Sequence, residues 1–325
     1  MLESVMLTSA PVLEIRDLTV SYTIGSAKPF NVVAGISLTI PRGATLGLVG
    51  ESGCGKSTTA RAVMQLTKWS GEMRLEDTDM ATVSASRLRA LRPRFQMIFQ
   101  DPISSLNPRR RIRQIMLSQL KVSGQFATKK EADARVARAL EQVGMEPATT
   151  LSKFPHEFSG GQCQRLCIAR AILLNPVLLV CDEAVSALDV SVRAQVLNVL
   201  NGLKASSSLS QLFISHDLAV VKNVSDYVSV MYLGKICETG PAAEVLSQPR
   251  HPYTRALLAS VLEPEVGDFE PSVPRARGDM PSALSPPSGC RYRTRCVKAQ
   301  PRCAEAQPEA RSVGGEHEVA CFFPD

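Results

Sequence analysis

No apolar run in this 325-residue chain approaches the ~20 consecutive residues that a membrane-spanning helix needs. It has no charged-then-apolar start followed by a small-residue cleavage site, so a secretory signal is not expected. Rings are scarce, with one Trp and five Tyr. No stripe of basic and aromatic residues runs through the chain, which argues against a surface that stacks on nucleic-acid bases. Charge of one sign is lacking too: 37 Lys and Arg face 31 Asp and Glu, a net +6. Residues 250–325 hold 10 basic and 10 acidic side chains, so the whole excess lies in residues 1–249. A diffuse excess of that size suits an anionic inner leaflet or nucleic acid, and the shortage of rings disfavours the second. Hydrophobic residues make up 44% of the chain, ample for a packed core. The length exceeds one typical domain of ~100–200 residues, so a core with an appendage is expected.

What the chain does have is an ordered set of phosphate-chemistry motifs. Gly50, Glu51, Ser52, Gly53, Cys54, Gly55, Lys56 and Ser57 fit G-x-x-x-x-G-K-[ST], a loop whose backbone N–H groups wrap phosphates. An apolar strand, Thr45 to Val49, precedes it, and a helix-compatible run from Ser57 through Thr58 to Met64 follows. Strand, glycine turn and helix N-terminus make an anion site from aligned amide dipoles. Lys56 would reach the β- and γ-phosphates of a nucleotide, and the Ser57 hydroxyl would ligate Mg²⁺. Farther on, Phe158, Ser159, Gly160, Gly161 and Gln162 open an apolar helical stretch, a second anion-binding helix start. The apolar strand Val177 to Cys181 then delivers Asp182 and Glu183. Asp182 fits the Mg²⁺ role and Glu183 fits the residue that polarises the attacking water. Ser186 to Asp189 forms a turn, and the strand Leu212 to Ser215 ends at His216, which in this order reads as a γ-phosphate sensor.

In that order the chain resembles the ATP-binding subunit of an ABC transporter, over residues from about 11 to 245. The resemblance implies an α/β fold: a P-loop ABC-type ATPase core with a mainly parallel sheet, an antiparallel β subdomain, a helical subdomain and a Cys-containing C-terminal extension. It implies that Gln100, in Phe99-Gln100-Asp101-Pro102, stands between the catalytic core and the membrane subunits and near the Mg²⁺. It implies that Tyr22, closing the alternating strand that begins at Leu13, stacks on adenine, and that Asp189 belongs to the D-loop. It further implies that Ser159, Gly160, Gly161 and Gln162 face the ATP of a partner subunit, so that two nucleotides are sandwiched head to tail. The chain departs from the family pattern at Ala184, where a proline is common, and at Cys163, where an arginine is usual. Arg165 is retained, and the site reads as hydrolytically intact.

A narrower resemblance is to the oligopeptide/dipeptide permease branch. It rests on Phe99 to Arg109, on Phe154 to Phe158, and on His251 to Leu258. It implies an ATP hydrolase of the translocase class that drives peptide uptake, peripheral on the cytoplasmic face of a bacterial inner membrane. Its partners would be two membrane-spanning permease subunits, a second homologous ATP-binding subunit and an extracytoplasmic solute-binding protein. Nickel, opine or glutathione uptake is the alternative cargo. A soluble ATPase of this fold acting on nucleic acid or ribosomes is the remaining alternative. Such relatives typically carry paired cassettes or coiled-coil insertions, which the sequence lacks.

The expected organisation is a loose tail at residues 1–10, an ATP-binding domain at 11–249 with its helical subdomain at about 103–165, and an extension at 250–325. Between Glu263 and Ser288, prolines at 264, 271, 274, 281, 286 and 287 mark an extended linker. Cys54, Cys163, Cys167, Cys181 and Cys237 are scattered and read as small apolar residues. Cys290, Cys296, Cys303 and Cys321 crowd into the last 36 residues with spacing C-x5-C-x6-C-x17-C. A segment with so little apolar material needs a staple. Disulfides are disfavoured in cytosol, and zinc favours tighter Cys pairs. Four thiolates suit a [4Fe–4S] cluster, whose ligand spacing varies. Iron–sulfur, zinc and unligated thiols stay open, beside ATP and Mg²⁺ as cofactors.

Overall fold

The computed structural model describes residues 10–25, 29–126, 128–260 and 278–325. The expected tail, apart from Ala10, and residues 263–277 of the Pro-rich stretch lie outside the described residues. In chain order, β1 (Leu13–Tyr22) and β2 (Phe30–Ile40) precede β3 (Thr45–Val49), which runs through the glycine loop into α1 (Lys56–Val63). Then come β4 (Ser70–Leu75), β5 (Thr78–Asp79), α2 (Ala85–Leu91) and β6 (Phe95–Ile98). A helical stretch holds α3 (Ile112–Ser123), α4 (Lys129–Gln142), α5 (Pro147–Thr150) and α6 (Gly160–Ile172). Strand and helix then alternate: β7 (Leu178–Asp182), α7 (Val190–Ser207), β8 (Ser210–Ser215), α8 (Leu218–Val224), β9 (Tyr227–Tyr232) and β10 (Lys235–Pro241). Helices α9 (Ala242–Ser247), α10 (Pro252–Ala259) and α11 (Arg302–Glu305) and strands β11 (Arg311–Gly314) and β12 (His317–Val319) complete the described chain. Among the described residues no helix is long and apolar enough to cross a membrane.

The chain divides into two compact units. The first takes Met1–Val12, Pro41–Ala44 and Thr82–Leu212. In it β6 and β7 pair in parallel, Phe95 opposite Leu178 through Ile98 opposite Cys181. Every residue of β7 is buried, as a continuous apolar run in a parallel sheet requires. Helix α4 buries Ala132, Val136, Ala139 and Leu140, the three- and four-residue spacing of one helix face. Thr128 caps it by accepting from the Glu131 N–H. Helix α3 buries Ile112, Ile115, Met116 and Leu120 and stops at Gly124, whose φ of 66° suits a glycine C-terminus.

The second unit takes Leu13–Ile40, Thr45–Ala81 and Phe213–Asp325. Its smaller sheet is antiparallel, in the order β2-β1-β4-β5. Its larger sheet runs β11-β12-β10-β9-β3 and then the C-terminal half of β8. β3 and β9 are parallel, Leu46 opposite Tyr227 through Val49 opposite Val230. β9 turns back into β10 through Leu233 and Gly234, both at positive φ, which is the hairpin geometry expected from the sequence. A Cβ on Gly234 would meet the Val32 carbonyl oxygen at 2.4 Å, so only glycine fits there.

The end of the chain joins this sheet. β12 pairs antiparallel with β10, Glu238 opposite Val319. The buried Glu238 carboxylate accepts from the Arg250 N–H at 2.6 Å and the His251 N–H at 3.0 Å. It also meets His317 Nε2 at 2.7 Å. One carboxylate thus ties the turn before α10 to the last strand. Glu238→Ala leaves two backbone donors without a partner and should cost about 3 kcal/mol. The urea midpoint of the variant measures it, and an unchanged midpoint would remove Glu238 from this role.

Candidate functional site

The loop between β3 and α1 is wound by glycine. Gly50, Gly53 and Gly55 have φ of 151°, 81° and 113°. A Cβ on Gly50 would lie 2.1 Å from the Met231 carbonyl oxygen, and one on Gly55 would lie 2.9 Å from that of Val32. Backbone of β9 and β2 packs against the loop backbone here, leaving no room for a side chain at Gly50 or Gly55. Lys56 is 4% exposed, and its Nζ donates to the carbonyls of Gly50 at 2.7 Å and Glu51 at 2.9 Å. Ser57 and Thr58 are half-buried in the first turn of α1, while Ser52 and Gly53 are exposed at the rim. The arrangement gathers helix-start amides and a fixed ammonium in one glycine-wound segment. That is the chemistry of a phosphate cradle. Tyr22, at the end of β1, keeps an exposed ring, 36% accessible.

In the first unit, β7 delivers Asp182 buried and Glu183 half-buried. Glu183 has φ 49°, a left-handed conformation that a non-glycine residue adopts at a cost. Its carbonyl is pinned by the Ser186 N–H at 3.2 Å and the Ser186 Oγ at 3.0 Å. Gln100 Nε2 donates to Glu183 Oε2 at 3.1 Å, so two candidate site residues 83 positions apart are brought together. A turn strained and fixed in this way aims a carboxylate instead of letting it drift.

Ser159 is the N-cap of α6. Its Oγ accepts from the Gln162 N–H at 3.3 Å and Gln162 Oε1 accepts from its N–H at 2.9 Å, a reciprocal capping box. Gly160 has nothing within 4 Å of a Cβ position, whereas one on Gly161 would strike Val192 Cγ1 at 2.1 Å. The helix start is therefore packed on one side and open on the other. Asp189, at the start of α7, and His216, just past β8, are exposed. Cys163, one of the two departures from the pattern, is 1% exposed with its Sγ toward the Pro155 carbonyl at 3.5 Å, a packing position.

Cys290, Cys296, Cys303 and Cys321 line one cavity, together with His251 and Tyr292. Burial pushes the Cys290 thiol up to about 11, with its three neighbours adding to the shift. Burial raises Cys296 and Cys321 as well. A group of three or more His, Cys, Asp or Glu side chains already set around a metal position is not found among the described residues. Thiol donors without a carboxylate, converging from four places in the chain, are chemically suited to a soft metal.

Sequence reasoning gave no site role to Arg295 or Tyr253, both of which bond Glu51 of the glycine loop. The Arg295 Nη1 donates to both Glu51 carboxylate oxygens, at 3.0 and 2.9 Å. The Tyr253 hydroxyl accepts from the Glu51 N–H at 2.9 Å. No local pattern signals a partner 244 residues away.

A phosphate cradle on the helix after β3, and an acid pair closing a buried parallel strand, define an ATP-hydrolysing cassette. The profile described as "ABC transporter" matches residues 33–186, and that described as "Oligopeptide/dipeptide transporter, C-terminal region" matches residues 237–303. The chain is 45% identical over 319 residues to the oligopeptide transport ATP-binding protein OppF of Haemophilus influenzae, covering 95% of this chain and 96% of that one. It is 45% identical over 324 residues to OppF of Escherichia coli, covering 96% of each. The chain belongs to the ABC transporter ATP-binding family. A dimeric ATP-binding cassette, MJ0796, solved with ADP and Pi, shares its fold at a TM-score of 0.64 and 22% identity, over 71% of this chain and 98% of that one. Membership implies ATP and Mg²⁺ as the ligands of the site.

Proposed function

We propose that this chain is the energy-coupling ATPase of a peptide importer. The observation that carries the reading is the phosphate loop wound around Lys56, in a chain alignable over 95% of its length with an oligopeptide transport ATP-binding protein. The ATP-binding domain is taken as residues 11–249, its helical subdomain as about 103–165, and the extension as 250–325. Lys56 and the amides of Gly53, Gly55, Ser57 and Thr58 bind the β- and γ-phosphates, and Tyr22 supports the adenine. Ser57, Asp182 and Gln100 would hold Mg²⁺, which when bound would supply charge neutralisation at the transferring phosphoryl group. Glu183 takes a proton from the attacking water. His216 contacts the γ-phosphate and reports its loss. Asp189 and the Ser159–Gln162 turn complete the nucleotide site of a second ATP-binding subunit.

This subunit works on the cytoplasmic face of the inner membrane. It docks there on two permease subunits beside a related ATPase, with an extracytoplasmic binding protein delivering the solute. ATP holds the two cassettes closed, and hydrolysis releases them. Proteoliposomes holding the whole assembly should accumulate a labelled oligopeptide only with ATP inside and binding protein outside. Accumulation of nickel or an opine instead would replace the cargo and keep the machine.

Cys290, Cys296, Cys303 and Cys321 are the ligands of an iron–sulfur cluster with a structural role. Their shared cavity supports this, as does a segment too poor in apolar residues to order itself. Ligation would displace the protons that burial holds on Cys290, Cys296 and Cys321. Anaerobically purified protein should be brown with about four irons per chain. Cys296→Ser should lose both. Colourless protein with one zinc would exchange the metal, and protein with neither would make the cysteines bystanders.

A further inference from the structure

Glu51, the second residue of the glycine loop, is held at every polar group it has. Its carbonyl accepts from Lys56, its N–H donates to the Tyr253 hydroxyl, and its carboxylate takes Arg295 Nη1 on both oxygens. Two of these three partners come from residues 250–325. We propose that the C-terminal extension completes the ATP site, with Arg295 and Tyr253 as positioning residues that fix the phosphate loop through Glu51. The proposal rests on the reading of residues 50–57 as the nucleotide loop.

The clamp is itself built rigidly. Arg295 is 8% exposed, and its guanidinium lies over the Tyr232 ring, 5.8 Å from its centroid. Tyr232 meets Tyr253 edge-on at 4.7 Å and Tyr292 at 5.1 Å, and all three rings are buried. Arg295 and Tyr292 therefore flank a packed aromatic cluster while standing beside Cys296 and Cys290 in the chain. The Met280 methyl lies 3.4 Å from where a Cβ on Gly53 would be, a further touch from the extension on the loop rim.

Two physical effects follow for ATP. A loop held in its wound form does not lose that conformational freedom again when phosphate arrives, so affinity rises. The Glu51 carboxylate also sits in a loop that must accept a polyanion, and Arg295 neutralises it. Without Arg295 that repulsion returns in a half-buried setting where water screens it poorly. The charge effect has a signature that mere loss of packing lacks. The penalty must grow with ligand charge, from adenosine to ADP to ATP.

The test uses the full-length chain and titrates ATP, ADP and adenosine by fluorescence. Arg295→Met keeps the apolar stem on Tyr232 and removes the charge. It should raise the Kd for ATP about tenfold, that for ADP less, and leave adenosine unchanged. Arg295→Lys should restore most of the ATP affinity, because a single nitrogen makes both contacts. Glu51→Gln added to Arg295→Met should recover part of the loss. If Arg295→Met does not fold, Arg295→Gln reads the same quantity. An ATP Kd in Arg295→Met within about twofold of wild type overturns the inference, as does an equal penalty for all three ligands. Lys56→Ala is the control. If it binds ATP normally, the nucleotide reading of the loop fails. If it loses ATP while Arg295→Met does not, only the positioning role fails.

Discussion

Glu183→Gln should bind ATP as tightly as the wild type and turn it over about 10²–10⁴ times more slowly. The substitution keeps the shape of the side chain and takes away only its ability to accept a proton. The left-handed turn that aims the residue is held by Ser186 through the backbone carbonyl, which a side-chain change does not touch. Gln100 Nε2, now 3.1 Å from Glu183 Oε2, still finds an amide oxygen there. On the proposed reading affinity comes from the loop around Lys56, so rate and binding should separate cleanly. Steady-state hydrolysis in the assembled complex, alongside nucleotide titration, measures both. Turnover within about twofold of wild type would exclude Glu183 as the base.

Which parts of this molecule could be read from its sequence depends on the range of the interaction that fixes them. The glycine loop is local: β3 is a continuous apolar run, and three residues of the octet need a positive φ that only glycine takes without strain. The acid pair is local too, since β7 is apolar up to Asp182. The β9–β10 hairpin and the single buried face of α4 follow from period and turn chemistry alone. Interactions that close over long loops leave no such trace. His317 meets Glu238 from 79 residues away, and β12 is three residues long, too short for a periodicity to be seen. Arg295 looks like one more arginine in a basic stretch until the fold places it against Glu51. The cysteines lie between these extremes. Their crowding signals a staple, but only the fold shows four positions lining one cavity.

Ser159→Arg should abolish hydrolysis in the assembled transporter at the partner site proposed for this turn, while ATP still binds to the variant chain's own loop. As the N-cap of α6, Ser159 accepts from the Gln162 N–H, so its loss costs about 1 kcal/mol of local stability. That is too little to unfold the cassette, whose α6 buries Leu166, Ile168, Ala169 and Ile172. The larger effect falls on whatever approaches the helix start. Ser159 and Gly160 are exposed, and space is open beyond Gly160, so the positive end of α6 is open to an anion approaching from outside the chain. An arginine there fills the approach and makes a second cassette stand off. Mixed complexes carrying Ser159→Arg in this subunit alone should trap ATP without turning it over at the partner's loop. Wild-type hydrolysis by such a complex, or full-rate hydrolysis by this chain alone at any protein concentration, would show that the turn serves no partner nucleotide.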